Sequence, residues 1–470
     1  MLDLAIIVVY LLGMIGIGAW VYAKRQTSSR DGFFVANRTG STLFVTGSLC
    51  ATFIGASVVI GMTGRGFNMG LAGAWWLLVG AIGLFVLGFF FARKVRQVGR
   101  YTLPELIEEQ YGSTAGVAAS LLIVVAWIAI IAAQIVAVDA VLAVVLPFDI
   151  SGWIIMTIAT AVFVLYTMLG GQYSIIRTDF VQFGILAIGI LVCLGLVLAK
   201  VGGIDGMTSA LPGDLFSFPI NEQFGWYELV ALLVLTGATY VVGPDMYSRL
   251  FCARDGGVAR SSALLAGLIA IPAAFAVILI GMGARVLYPD IGSAQAFPTV
   301  VEQLLPVGVS GLVAAALLAA IMSSADTVLL TTSTILSQDI IGRLKTGMTE
   351  RASLAISRAG VVVIGILALV VALHKPGIIG SLLLAYTVFT SGVVIPVVAG
   401  FYRRRLKLNA VGAIAAIVGG GGTALAINRL EAAGWLTVDH LDLVGLGVCA
   451  VLLFGVSWIA NSAGWVRQPS

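Results

Sequence analysis

The residues best suited to chemistry lie in one stretch, Ala320-Ile-Met-Ser-Ser-Ala-Asp-Thr327, inside an apolar run over 307–338. On a helix, positions i, i+3, i+4 and i+7 share a face, which sets Ala320, Ser323, Ser324, Thr327 and Thr331 in one stripe with Asp326 beside it. Hydroxyls and a carboxylate are hard oxygen donors, suited to a hard cation such as sodium. Hydroxyls in apolar helices often do no more than bond back to the i−4 carbonyl, which accounts for Thr331 to Thr334. Asp326 is different. A carboxylate near the middle of a crossing costs at least about 2.5–3.5 kcal/mol on insertion scales and marks a functional site. Three roles stay open for it: cation ligand, proton carrier, or neutral structural acid hydrogen-bonded inside a bundle.

A second stretch, Ser48 to Gly64, is apolar and long enough to cross a bilayer, yet it is punctuated by Gly55, Gly61 and Gly64, with Gly66 just beyond. It also carries Thr52, Ser57 and Thr63. Glycine lowers helix stability by about 1 kcal/mol relative to alanine. An interrupted helix survives in hydrocarbon where its freed carbonyls line a cavity. For the glycines alone, close helix packing is an equally good account. A matching interruption later in the chain decides for the broken helix: segment 226–246 runs through Thr236-Gly-Ala-Thr-Tyr240 into Gly243-Pro244. Proline removes a backbone donor and clashes with the preceding turn, so the helix breaks or ends there.

The elements that must position these residues are membrane helices. The 470 residues are 60% hydrophobic and 10% charged, against about 25% charged in soluble domains. Apolar runs of about 20 residues predict thirteen crossings: 3–23, 43–65, 72–92, 115–146, 151–170, 178–200, 226–246, 261–285, 307–338, 353–373, 377–400, 409–428 and 441–461. The first is not a cleaved leader, since Lys24 and Arg25 follow it. With the N-terminus outside, all but five of the 26 lysines and arginines fall in cytoplasmic loops or the C-terminal tail, Arg249 among them. The exceptions are Arg65, Lys200, Arg285, Lys375 and Arg429. Segments two and seven stand five helices apart and so run in opposite directions. Five helices opening on a broken one, followed by five more inverted, is the pattern of an inverted-repeat transporter. Within one transmembrane domain over 1–470, the repeats are 43–200 and 226–400. An extra helix at 3–23 precedes them, two at 409–461 follow, and the C-terminus is cytoplasmic.

Other groups stand apart from this pattern. Cys50, Cys193, Cys252 and Cys449 fit no disulfide or metal spacing, and His374 and His440 are far apart. Asp179 follows Arg177 at the start of segment six, as a surface residue at a helix N-terminus or as part of an ion exit route. Gln134, mid-way along segment four, is a solute ligand or an interhelical hydrogen bond.

The chain resembles the sodium:solute symporters, a family that includes bacterial proline, sialic acid, galactose, pantothenate and acetate carriers. The resemblance rests on Ile60-Gly-Met-Thr-Gly-Arg-Gly66, Tyr101-Thr-Leu-Pro-Glu-Leu-Ile-Glu-Glu-Gln-Tyr-Gly112, Gly170-Gly-Gln-Tyr, Thr178-Asp-Phe-Val-Gln182, Asp245-Met-Tyr-Ser-Arg249 and Ala320-Ile-Met-Ser-Ser-Ala-Asp326, in this order. It implies a LeuT-type 5+5 fold working by alternating access. It also implies a principal sodium ion held by the carbonyls of Ala51, Ile54 and Ala320 and the hydroxyls of Ser323 and Ser324. A second sodium site of some members falls here on Asp179, Ser323, Asp326 and Thr327; Asp326 stands where some relatives have a serine.

Solute contacts are expected from Thr52, Phe53, Ser57, Gln134, Thr236 and Tyr240. Phe53 replaces a polar residue of the sugar carriers and an aspartate of the proline carriers. A sugar's hydroxyls each need a partner once desolvated, so these apolar surroundings favour a monocarboxylate or a compact amino acid, received by helix N-termini. The expected activity is sodium-coupled symport across the cell membrane, with no cofactor, nucleic acid or obligate protein partner. A proton-coupled carrier and a transporter-like sensor are the alternatives; the chain stops at Ser470 without a soluble signalling domain. No nucleophile–histidine–acid grouping, phosphate loop or metal spacing suggests an enzyme, and a channel has no need of inverted broken helices.

Overall fold

The computed structural model describes residues 2–24, 27–145, 150–344, 348–374, 377–436 and 443–463, without the side chains of residues 56, 57, 143–145 and 432. Among the described residues the chain is helical, with no strands. Backbone donors and acceptors have no water to pair with in hydrocarbon, so the apolar runs close their hydrogen bonds internally as helices. Eleven helical stretches among the described residues are long and apolar enough to cross a membrane. Two of these are each interrupted by a glycine in the left-handed region, Val58–Val98 at Gly70 (φ +60°) and Gly152–Val201 at Gly171 (φ +51°).

The first helix is α1 (Leu2–Ala23). The glycine-punctuated stretch forms two helices, α2 (Thr42–Phe53) and α3 (Ala56–Met69). Between them Ile54 leaves helical geometry (φ −97°, ψ 41°) and Gly55 is extended (φ −61°, ψ 158°). After Gly70 the chain continues as α4 over 75–98, then α5 (Ser113–Val145) and α6 (Gly152–Val201). The sequence predicts a loop over 171–177 between two helices. The structure instead bends one helix at Gly171, where a Cβ would press on the Phe33 ring at 2.7 Å. One left-handed residue turns the chain without breaking the ladder on either side.

The second expected break is at the expected place. Helix α7 covers 226–242, Gly243 is extended (φ −52°, ψ 134°), and α8 (Pro244–Cys252) follows with proline in its first turn, where the missing N–H costs nothing. Then come α9 (Gly256–Leu287), α10 (Val309–Ile335), α11 (Glu350–Leu373), α12 over 378–400, α13 (Ala410–Ala432) and α14 (Val444–Ser462).

Helix α10 is the axis. Of its most apolar window 94% is buried, against 22% for α1. It packs against α1, α2, α5, α6 and α11. Helices α3 and α9 approach through glycine: Cβ atoms at Gly66 and Gly281 would run into the carbonyls of Ile278 and Thr63. Small residues let membrane helices close to backbone contact. The outer surface carries Val9, Phe90, Val451 and Trp458, all more than half exposed, an apolar collar of the kind that meets lipid or a partner. At one end of the bundle Thr102 caps a helix over 103–111 by accepting from Glu105 N, and Glu105 accepts from Tyr101 N at 2.8 Å. The Tyr101 hydroxyl donates to Asp31 Oδ1 at 2.5 Å, and its pKa is pushed up to about 12 by burial and then by that carboxylate.

Candidate ion and solute site

The break between α2 and α3 lies against the middle of α10. Ser323 Oγ is 3.0 Å from Ala51 O on α2 and 3.0 Å from Ala320 O on its own helix. A hydroxyl has one proton, so it donates to one of these carbonyls at a time and keeps two lone pairs for another partner. Ser324 Oγ donates to Thr52 O at 3.2 Å. Val58 and Val59 both direct their N–H to Gly55 O, so the ladder restarts one residue past Ile54. A Cβ on Gly55 would stand 2.5 Å from Ser324 Oγ; only glycine lets the serine come this close. Ala51, Ile54, Ala320, Ser323 and Ser324 are all at most 3% exposed. This is a desolvated group of neutral oxygens drawn from residues some 270 apart, and its donor set fits an alkali cation.

Next to it lies a charged cluster. Arg249, wholly buried on α8, sends Nη2 to Asp179 Oδ2 at 3.2 Å and also donates to Thr52 Oγ1 and Thr327 Oγ1. Its Nε donates to Ser48 O at 3.2 Å and its Nη1 to Asp245 O at 3.1 Å. Ser48 Oγ donates to Asp179. Asp326 is fully buried, with Thr327 Oγ1 3.5 Å from its Oδ1; its Oδ2 has no hydrogen-bond partner among the described residues.

Two sequence expectations are corrected here. Asp179 is not at a boundary surface: α6 continues through Gly171, which carries it into the bundle, and its side chain is 0% exposed. Arg249 is not in a loop. Its helix continues through Leu250, Phe251 and Cys252, all buried, and that apolar continuation was the available signal. Ionised, Asp179, Asp326 and Arg249 leave one negative charge in excess. Buried charges are paired, so the cluster has a place for one cation or one proton at Asp326.

The solute candidates divide. The Thr52 hydroxyl is engaged by Ser48 O and Arg249. Phe53 packs edge-on to Tyr240 with centroids 4.8 Å apart, and Tyr240 lies 6.4 Å from the Tyr386 ring. Gln134 is buried on α5. The Ser57 side chain falls outside the described residues. Thr236, one turn before Tyr240, lines a cavity of about 260 Å³ between α3, α7 and α12; its hydroxyl is buried and has no hydrogen-bond partner among the described residues. The aromatic group of Phe53, Tyr240 and Tyr386 thus lies one helical turn from this cavity.

A multi-pass helical bundle with two broken helices and a buried oxygen cluster at one break is the architecture of an ion-coupled carrier. The chain belongs to the sodium:solute symporter family, whose profile matches residues 33–420. It is 26% identical over 409 residues to sodium/glucose cotransporter 4 of Danio rerio, covering 78% of this chain and 62% of that protein. It is 28% identical over 378 residues to the sodium/glucose cotransporter of Vibrio parahaemolyticus (72% and 68%). It is 24% identical over 404 residues to human sodium/myo-inositol cotransporter 2 (77% and 59%). The match thus spans about three fifths of the vertebrate relatives' length. Among solved structures it shares the fold of a Na+-coupled sialic acid symporter in a substrate-bound outward-open state, with TM-score 0.82, 18% identity and 98% of both chains covered. A nucleobase-cation-symport-1 family transporter in a closed conformation follows with TM-score 0.61 and 15% identity, covering 91% of this chain and 94% of that one. The family and these relatives are transporters, not enzymes.

Proposed function

We propose that the chain is a sodium-coupled symporter of a small organic solute in the cell membrane, working by alternating access. Its frame is the LeuT-type arrangement of thirteen helices, with repeats at 43–200 and 226–400, the N-terminus outside and the C-terminus cytoplasmic. The observation that carries this reading is Ser323 Oγ, 3.0 Å from the carbonyls of both Ala51 and Ala320 at the break after α2. In the sodium-bound protein those carbonyls, that of Ile54, and the Ser323 and Ser324 hydroxyls surround the ion. Sodium binding there ties the broken helix to α10, and ion release frees one from the other, which is the coupling a symporter needs.

Asp326, with Thr327 and Asp179, forms the second cation position. The excess negative charge of the cluster supports this role, and a proton on Asp326 satisfies the same balance. The solute lies beside the broken parts of α2 and α7, near Phe53, Ser57, Gln134, Thr236 and Tyr240. The relatives' names include glucose and myo-inositol carriers. The wall of Phe53, Tyr240 and Tyr386 offers a polyol two phenolic hydroxyls for its several hydroxyl groups, and a monocarboxylate or small amino acid suits it better.

A tenfold sodium gradient is worth about 1.4 kcal/mol, and 100 mV adds about 2.3 kcal/mol per charge. One ion can therefore concentrate a neutral solute by roughly 10²–10³ and two by about 10⁵. Radiolabelled uptake into proteoliposomes under a sodium or a choline gradient tests the proposal, over a panel of carboxylates, amino acids and sugars. Uptake equal in the two media across the panel overturns it.

A further inference from the structure

We infer that Arg65 is an anion-recognition residue of the cavity between α3, α7 and α12, so that the solute entering it carries a carboxylate. This rests on the reading of the chain as a carrier of a small organic solute, and it supplies a charge partner which the broken helices alone do not provide.

Arg65 lies in the apolar stretch Val58–Val98 and lines the cavity together with Tyr227, Glu228, Thr236 and Thr387. Most other partly buried or buried arginines have polar partners: Arg249 has Asp179, Arg343 has Glu108, Arg285 donates to Phe67 O, and Arg96 donates to Ala253 O. Arg65 has no carboxylate within 4.0 Å and no hydrogen bond among the described residues. Its guanidinium lies 5.0 Å from the Trp76 ring. Gly73 leaves room for the base of this side chain: a Cβ added there would stand 3.0 Å from Cβ of Arg65. The acid in the same cavity is otherwise committed: Glu228 Oε2 accepts from Gly225 N at 3.0 Å, closing the N-terminus of α7.

A second observation points to a ligand. Thr236 Oγ1 is buried against the same cavity with no hydrogen-bond partner among the described residues, and an unmet buried hydroxyl is destabilising. A guanidinium beside an aromatic ring at the wall of a cavity, with no carboxylate of its own, can bind a solute carboxylate through two parallel hydrogen bonds. The Thr236 hydroxyl is then free for a second oxygen of the same solute, between the apolar walls of Leu235 and Leu383. A small carboxylic acid with one further polar group fits this arrangement; its uncharged amide does not.

The test uses the purified full-length chain in sodium-containing detergent solution. Melting temperature is followed with acetate, lactate, alanine and benzoate, each against its amide, and with glucose. The expected result is a saturable rise with one or more of the acids and none with the corresponding amide. In Arg65→Gln the half-saturating concentration of that acid increases by about tenfold or more, and Arg65→Lys falls between, as loss of a hydrogen bond to a charged group requires. Stabilisation by glucose or by amides equal to that by the acids overturns the inference. So does the absence of any shift with all four acids, or an acid shift unchanged in Arg65→Gln. If Arg65→Gln does not fold, the acid–amide comparison on the unmodified chain decides alone. Sodium-driven uptake separates the two proposals. Glucose uptake without an acid shift sinks the role of Arg65 and leaves symport standing, whereas an acid shift without sodium-driven uptake does the reverse.

Discussion

Arg249 Nη2 lies 3.2 Å from Asp179 Oδ2, and neither side chain is exposed at all. The two residues come from α8 and α6, so the pair fastens the helix after one break to the helix that packs against the other. Removing one partner of a buried ion pair leaves an uncompensated charge and costs about 3–5 kcal/mol. Arg249→Gln and Asp179→Asn are each predicted to lower thermal stability markedly. The double variant is predicted to recover part of that loss, because no lone charge remains. Melting curves in detergent for the four proteins provide the check; additive losses would show that the residues act independently.

Ser323→Ala and Ser324→Ala each remove one ligand oxygen without adding bulk. Each is predicted to raise the sodium concentration for half-maximal uptake by about tenfold, on the scale of a lost bond to a charged partner, with protein yield near that of the parent. Sodium titrations of initial uptake rate read this directly. An unchanged titration in both variants removes these hydroxyls from the ion site.

Gly55→Ala tests the same site from the opposite helix. Its new methyl would stand 2.5 Å from Ser324 Oγ and must push that hydroxyl aside. The prediction is weakened sodium dependence with solute affinity at saturating sodium much less affected. If both change in parallel, the glycine serves packing rather than the ion.

Asp326→Asn keeps the shape of the side chain and deletes its charge. As a second sodium ligand it is predicted to lower the sodium Hill coefficient and the charge moved per solute. A proton carrier instead makes uptake by the parent chain respond to a pH gradient at fixed sodium. A purely structural acid leaves stoichiometry untouched in the variant. Reversal-potential measurements on proteoliposomes distinguish all three outcomes.

What the sequence made legible is what acts locally. Gly55 and Gly243-Pro244 mark breaks because glycine and proline change the backbone wherever they stand, and both breaks occur at those residues. The stripe of Ser323, Ser324 and Thr327 follows from helical period alone. Arg249 and Asp179 were misplaced because their burial depends on a pairing 70 residues apart and on a helix that bends at Gly171 without stopping. A glycine pair such as Gly170-Gly171 reads equally well as a loop. The wider helical turns at 87–91, 233–237, 336–341 and 390–394 have no residue signature comparable to proline. The turns at 87–91, 233–237 and 390–394 pack on helices distant in sequence, which no single stretch records.

In the proposed ion site, three of the five oxygens belong to the peptide chain itself, at Ala51, Ile54 and Ala320. Any residue with the same backbone path would supply them. Descent therefore acts unevenly on this site: Ser323, Ser324 and the hydrogen atom of Gly55 are held by their chemistry, while the other three positions are free to drift among residues of similar bulk. Aligned letter by letter, two carriers could look unlike at most of their shared ion site. The site is inherited as a bend in the chain.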